Sequence, residues 1–403
     1  MKVNKKLNRV NFITLSILFI LLILYYDLNI NPVYPTSRSK YYNIINLDND
    51  NLLFSKVSGR IHINNNWTEA VNAGLCTGNG TYFDPYVIKD WVITTFPESG
   101  ILIENLNAYL IIENCTIGHA ADPNAGIELV NVNNTQIINN DCSRNYYGIL
   151  LRDCNNITIS GNIASDDASF GYVLYIGIKL INSNHNTVIG NTANYSGEGG
   201  IHLYKCDNNV ISRNTANNSE GGIAILLSNC DNNIISENTA NNVGTPPWID
   251  ELLTNDGIGI INSENNIIIG NILNDNGRAG ISLVSSAGNT ISGNILKNNG
   301  YGIWLRWSNS HNVISDNTIR GNKYRGVYLT DDSNYNIISG NILSGNGICI
   351  EEYGCTGNIY WNNGLCIYIG APYFEILIYS VIAAIIFVAV VLAEIQRRKT
   401  HKL

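Results

Sequence analysis

Two groups of residues in this 403-residue chain have the types and spacing to do chemistry. The first is a pair of carboxylates. Ser196-Gly197-Glu198-Gly199-Gly200 and Ser219-Glu220-Gly221-Gly222 are near copies. If the copies stack as neighbouring strands, Glu198 and Glu220 lie about 5 Å apart. Like charges that close push one carboxyl upward in pKa and leave an acid beside a base. Their spacing is near that of the two carboxylates in retaining glycosidases. Two long stretches open at the same edge: 165–176, carrying Asp166 and Asp167, and 242–256, carrying Trp248, Asp250, Glu251 and Asp256. Together they could wall a cleft, and such oxygens also suit Ca2+. The second group is an outward aromatic stripe, His202, Trp304 and Tyr328, with Arg306 and Trp307 beside it. Aromatic faces exposed on a sheet stack on sugar rings. The competing readings are a solvated turn for the first group and ordinary surface packing for the second.

Both groups depend on an array that runs from about Gly100 to Asn363. Its clearest copies read Gly-Ile-x-Leu, a few polar residues, then Asn-x-Ile-x-x-Asn. Examples are Gly200-Ile201-His202-Leu203 leading to Asn209–Asn214, and Gly280-Ile281-Ser282-Leu283 leading to Asn289–Asn294. One Asn column falls at 186, 209, 233, 266, 289, 312 and 336, and a second at 162, 191, 214, 238, 271, 294, 317 and 341. The common step is 23 or 24 residues, and the steps of 29 and 33 mark the two long stretches above. A fixed period of this size is the signature of a solenoid. Each copy holds three short apolar alternations separated by Gly and Asn, which read as strands and turns. A copy cannot bury its own Ile and Leu, so copies must stack strand on strand. The result is an all-β, single-stranded parallel β-helix with Asn at its corners. Asn tolerates left-handed backbone at a sharp turn, and its amide can bond to the Asn one coil away.

These repeats resemble right-handed parallel β-helix proteins with pectate-lyase-like repeats, specifically the NosD-like branch. The resemblance covers about residues 62–365. In that branch a similar stretch to Gly80-Thr81 with Asp84-Pro85-Tyr86-Val87-Ile88 opens the first coil. The branch is named for a copper-delivery protein. This chain has one Met and six scattered His, so copper delivery finds no support in its residues.

The remaining segments frame the array. Residues 62–99 read as an N-terminal cap with the first strands, in which Asn65 or Asn66 caps a short helix that ends at Gly74. The coils occupy 100–366, and Trp361 with Leu365–Tyr368 is expected to close the far end. Residues 1–30 combine a basic start with an apolar run from Phe12 to Tyr26, as in a signal peptide or signal anchor. Residues 31–61 are a polar linker. A second apolar run within 374–395 is just long enough to span a bilayer, and a basic tail follows at 396–403. Basic flanks stay inside, so the expected arrangement is cytoplasmic termini, flanking transmembrane helices and an extracellular β-helix. Between Asp27 and Tyr373 there are 16 Lys and Arg against 30 Asp and Glu, a balance of −14, which argues against nucleic acid as a partner.

The nine cysteines show no Cys-x-x-Cys metal spacing. Cys206 and Cys230 hold the same place in successive coils and could form a disulfide. Ser183, Ser263 and Ser333 fill that column elsewhere, so two free thiols are the alternative. Cys349, Cys355 and Cys366 could staple the terminal cap. No nucleophile elbow, phosphate loop or polygalacturonase-type Asp cluster appears. The composition and spacing therefore point to a membrane-anchored surface β-helix that binds carbohydrate or serves as an envelope or adhesion module. No cofactor is implied beyond Ca2+. A polysaccharide lyase or hydrolase acting at the acidic edge is the alternative.

Overall fold

The structure, a computed structural model, describes residues 56–94, 97–165, 176–219, 221–244, 255–364 and 368–369. They form a right-handed parallel β-helix of about 11 turns. Each turn presents a long six-residue strand, such as Gly199–Tyr204, and a short second strand, such as Val210–Ser212. Each long strand pairs in parallel with its counterparts one coil before and after: Lys179, His202 and Leu226 stand in line, as do Ile178, Ile201 and Ile225. The third face depends on what each copy places there. In the middle coils it carries only single bridges, Thr192 to Thr215 to Thr239. From Ile272–Asn274 onward, where Ile and Leu replace the Thr-Ala pair, the third face becomes a true four-stranded sheet ending at Ile342–Ser344.

Alternation along the strands sends Ile201, Leu203 and Ile211 into a continuous aliphatic interior, with Ala216 closing the third side. The Gly of Gly-Ile-x-Leu sits where the corner is too tight for a side chain. A Cβ at Gly302 would lie 2.4 Å from both Gly326 O and Ile319 Cγ2.

The Asn columns are buried ladders. Asn266 donates its backbone N–H and its side-chain Nδ2 to Asn289 Oδ1, at 2.8 and 3.1 Å. Asn289 does the same to Asn312. Each Nδ2 also donates backward to a carbonyl of the preceding coil, as Asn289 does to Ser263 O at 3.0 Å. The corner chemistry is therefore divided between two residues, a correction to the expected role of the ladder Asn. The left-handed backbone falls one residue earlier, at Asn208 and Asn232 before Asn209 and Asn233, and even at Arg213, Glu237 and Asp316 before Asn214, Asn238 and Asn317. The ladder side chain must point inward to reach the next coil, so its neighbour takes the turn. A third ladder, five residues after the second column, links Asn276, Asn299, Asn322 and Asn346. Ser196, Ser219 and Val243 occupy its earlier rungs, which hid it in the sequence.

The coils begin earlier than the linker boundary at 61 implies. Lys56–Ser58 pairs with Trp91–Ile93, and Ile61–Asn64 pairs with Ile101–Glu104, because Ile61 and Ile63 already alternate into the core. The cap helix α1 runs Trp67–Asn72 after Asn66, and Gly74 follows in left-handed backbone. The Asn66 side chain accepts the N–H of Asn64 rather than a helix N–H. Trp67 seals the end by stacking on Tyr86 with ring centroids 4.2 Å apart. At the other end, Trp361 is 59 % exposed in the strand Ile359–Trp361, so its ring does not pack over the last coil as expected. No helix among the described residues is long and apolar enough to cross a membrane. The two apolar runs proposed as membrane helices lie outside the described residues.

Replacing Asn289 with Ala orphans the buried Asn266 N–H and the Ser263 carbonyl that it satisfies. The expected cost is roughly 2–5 kcal/mol, two unpaired buried groups, while Lys297→Ala on the exposed third face stays within about 0.5 kcal/mol. Urea titration of the two variants checks the difference.

Candidate functional site

The outer surface of the long sheet is a lattice of columns, because register repeats from coil to coil. One column runs His202, Leu226, Gly259, Ser282, Trp304, Tyr328 and Glu351. A parallel one, at the residue before the Gly that recurs in each coil, runs Ala279, Tyr301 and Arg325. Where these columns carry large side chains, the rings meet. Tyr301 stacks on Trp304 at 4.5 Å and on Tyr328 at 5.8 Å, Trp304 and Tyr328 lie 5.9 Å apart, and Tyr324 leans on Tyr301 at 5.3 Å. Trp304, Tyr328, Tyr301 and Trp307 are half-buried, so their faces form a platform rather than a core. Guanidinium groups border it. The Arg306 carbon is 4.8 Å from the Trp304 ring and 5.1 Å from that of Trp307, and the Arg325 carbon is 4.5 Å from Tyr328. Arg325 is also ion-paired with Glu351. Burial in low dielectric lowers the Arg306 pKa to about 10, aided by Arg278 and opposed by Asp256 and Asp331.

The expected aromatic stripe is thus real in Trp304, Tyr328 and Trp307, and Arg306 is with them. His202 shares the column but stands four rungs away, roughly 19 Å at about 4.8 Å per rung. Its Nε2 lies 3.0 Å from Ile223 O, and burial holds its pKa down at about 4. Tyr301, Tyr324, Arg325 and Glu351 were not singled out by the sequence. Their signal is that large or charged residues recur in both outward columns of consecutive coils, visible once the register of the long strands is known.

Asp256 departs from its expected place on an acidic loop. It opens the strand Asp256–Ile261 and is fully buried. Arg278 grips both of its oxygens, through Nε at 2.8 Å and through Nη2. The N–H of Ala279 donates to Oδ1 at 3.0 Å, and Ser282 Oγ donates to Oδ2. These donors occupy both oxygens, so Asp256 is a brace beneath Arg278 rather than a cation ligand. Asp166, Asp167, Trp248, Asp250 and Glu251 lie outside the described residues, as does Glu220. The register also changes the Glu198 neighbourhood. The Glu198 carbonyl accepts the N–H of Ile223, and Gly222 presses so close that a Cβ there would sit 1.7 Å from that oxygen. The residue drawn against Glu198 is therefore Gly222, because the 24-residue spacing between Ile201 and Ile225 already holds at this corner.

Cys206 and Cys230 are free thiols, not the disulfide considered from their spacing. Each does what serine does in this column. Cys206 N–H donates to Cys230 Sγ at 3.2 Å, Cys230 N–H to Ser263 Oγ at 2.9 Å, and each thiol donates to a carbonyl two residues back. At the far end Cys355 is free and buried, whereas Cys349 is disulfide-bonded to a partner outside the described residues. A separate groove of about 480 Å³ lies near the N-terminal cap, lined by Tyr82, Phe83, Tyr109, Asn134, Gln136 and Asn156 among others.

The family described as "Periplasmic copper-binding protein (NosD)" matches residues 57–251 and 248–375. The chain belongs to the NosD family. No curated protein matches it. Among solved structures, it resembles a periplasmic alginate epimerase (14 % identity, TM-score 0.42, 78 % of this chain and 84 % of that one). It also resembles the mannuronan C-5 epimerase A-module of Azotobacter vinelandii (13 %, 0.49, 74 % and 88 %). A third is a hyperthermoactive exopolygalacturonase from Thermotoga maritima (10 %, 0.45, 69 % and 84 %). At these levels the likeness carries no argument about activity. The family's description names copper, which needs ligands that converge. Among the described residues no three His, Cys, Asp or Glu converge as metal ligands. His62 pairs with Glu104, His311 stacks on Tyr335, His202 lies on the long face, and the single Met is Met1. These residues do not fit a copper centre.

Two outcomes follow. Asp256→Ala leaves the Arg278 charge buried alone and is expected to destabilise the chain by about 3–5 kcal/mol, whereas Asp256→Ala combined with Arg278→Met costs less than that single change. Urea midpoints of the two measure it. His202 is neutral when folded and protonates near pH 6.5 when unfolded, so the unfolded state binds the extra proton. The stability it contributes is present above pH 6.5 and is lost as pH falls from 6.5 toward 4. His202→Gln flattens that part of the stability profile, read from thermal melts between pH 7 and pH 4.

Proposed function

We propose that this protein is an extracytoplasmic β-helix that binds glycan on the outer face of its long sheet. The family description supports the location, since it names a periplasmic protein. The observation that carries the binding role is the platform of Tyr301, Trp304 and Tyr328. Three stacked, half-buried rings rise on consecutive coils of a surface sheet, with arginine at their border. Interior packing does not account for them, because Ile303, Leu305, Val327 and Leu329 already fill the core at those rungs. Flat aromatic surface beside hydrogen-bonding groups suits the apolar face and hydroxyl rim of a pyranose. The apolar runs at 12–26 and 376–393 would hold the helix at the membrane surface, with glycans or other envelope components as its partners.

Chemistry on that glycan is the second reading, and one residue favours it. Glu351 follows Tyr328 in the outward column and pairs with Arg325, which places a carboxylate on the platform itself. A general acid or base must lie within hydrogen-bond reach of the sugar, and Glu351 would supply it. The oxygens of Asp256 are already engaged.

Trp304→Ala is expected to weaken oligosaccharide binding at least tenfold while leaving the thermal midpoint within a few degrees, since the ring lies outside the core. A glycan array probed with wild-type and variant chains, followed by calorimetry on the best oligosaccharide, makes the measurement. Unchanged binding by Trp304→Ala removes the platform from the account. Release of reducing ends or unsaturated products from the bound oligosaccharide, abolished by Glu351→Gln, would select the enzymatic reading.

A further inference from the structure

The platform holds buried hydrogen-bond donors that stacking on a neutral sugar does not meet. Three arginines border it. Arg278 is paired with Asp256 and Arg325 with Glu351. Arg306 has no carboxylate among the described ion pairs, although it is only 6 % exposed. Its Nε and Nη2 are buried and lack any hydrogen-bond partner. Two more donors in the same patch share that state: Arg278 Nη1, the nitrogen not spent on Asp256, and Trp304 Nε1. The three side chains touch one another through the Trp304 indole, which lies 4.8 Å from the Arg306 carbon and 5.8 Å from that of Arg278. Four of the eight unpaired buried side-chain atoms among the described residues are thus N–H donors of this one cluster.

Such a cluster is costly. A buried donor without a partner keeps its full desolvation penalty, which is larger when it is charged. The indole faces soften the charge of Arg306 but accept none of its hydrogen bonds. What would repay the cost is an oxyanion with several acceptor oxygens, for which guanidinium forks are the fitting donors.

We propose that Arg306, with the spare nitrogen of Arg278 and the indole N–H of Trp304, receives a negatively charged substituent of the bound glycan, a carboxylate or a sulfate. This rests on the glycan reading above and narrows it to acidic sugars. The unpaired N–H groups are shielded from water, so the rings of Trp304 and Trp307, both half-buried on the surface, shift to admit the oxygens. The sugar ring then covers Tyr301 and Tyr328 while its acidic group seats between Trp304 and the two guanidinium groups. The overall balance of the chain, −8, makes a long-range pull on polyanions weak. Selection therefore happens at this patch.

The test uses the full chain and four probes in calorimetry: hexagalacturonate, the same hexamer with its carboxyls reduced to alcohols, a sulfated galactan hexamer, and sodium sulfate. Wild type is expected to bind an acidic hexamer at least tenfold tighter than the reduced one, with affinity falling as salt rises. The stronger of the two acidic hexamers identifies the group. Arg306→Gln is expected to bring the acidic hexamer down to the reduced one while leaving the reduced one unchanged. Trp304→Ala weakens all hexamers. Binding of sodium sulfate as tight as that of a hexamer would overturn the proposal, since the platform would then contribute nothing. Equal binding of acidic and reduced hexamers, or full acidic binding by a folded Arg306→Gln variant, overturns the acidic assignment but leaves glycan binding standing. Failure of every hexamer to bind overturns both. If Arg306→Gln does not fold, the wild-type comparison of acidic with reduced hexamer decides alone.

Discussion

The constraint on which everything else depends is the buried amide ladder. A polar side chain inside a hydrophobic prism is expensive unless every donor and acceptor is met. The Asn columns meet that demand only if each coil sits one rung, and not a residue more, from the next. Asn294 Oδ1 takes both the backbone and the side-chain N–H of Asn271, and Asn317 does the same for Asn294. A one-residue slip would orphan all of these donors at once, whereas an interior of Ile and Leu alone would tolerate sliding. The ladders therefore fix register, and register is what turns residues 23 or 24 apart in sequence into columns on the outer face.

That division of labour explains where function can sit. Inward positions repeat because the core has a fixed width, and ladder positions repeat because each amide needs its neighbour. Outward positions of the long sheet are free to vary, and they do: Leu150, Lys179, His202, Leu226, Gly259 and Ser282 precede Trp304 in one column. Over the three coils that begin at Tyr301, Arg325 and Ile348, large rings and charges gather. Beneath their edge, the Asp256–Arg278 pair holds a guanidinium in place for the patch and satisfies itself in doing so.

The fold was legible from the period, the apolar alternation and two of the three Asn columns. The third ladder was not, because Ser196, Ser219 and Val243 interrupt it and a column is recognised by recurrence. The backbone role of the corners was misassigned for a related reason: Asn both forms ladders and adopts left-handed backbone, and adjacent Asn pairs such as Asn208-Asn209 do not say which does which. Trp304, Trp307 and Tyr328 could be read from the sequence as a stripe. Tyr301 and Arg325 could not, since their approach depends on how the chain enters the strand before the Gly. Glu198 shows a limit of motif matching: similar motifs suggest stacking with Glu220, which lies outside the described residues, while the residue found against Glu198 is Gly222, set by the 24-residue strand spacing. The cysteine column shows that equal positions imply contact and not a covalent bond, because the thiols serve there as larger serines.

Amide hydrogen exchange along the array tests the central claim most directly. If the ladders lock the coils, the backbone N–H groups of Asn266, Asn289 and Asn312, which donate to side chains rather than to strand neighbours, exchange as slowly as the inner strand amides of Ile281 and Ile303. Exchange of these Asn amides at the rate of the exposed turns, with the strand amides still protected, would show that the stack holds its register without them and would contradict the account.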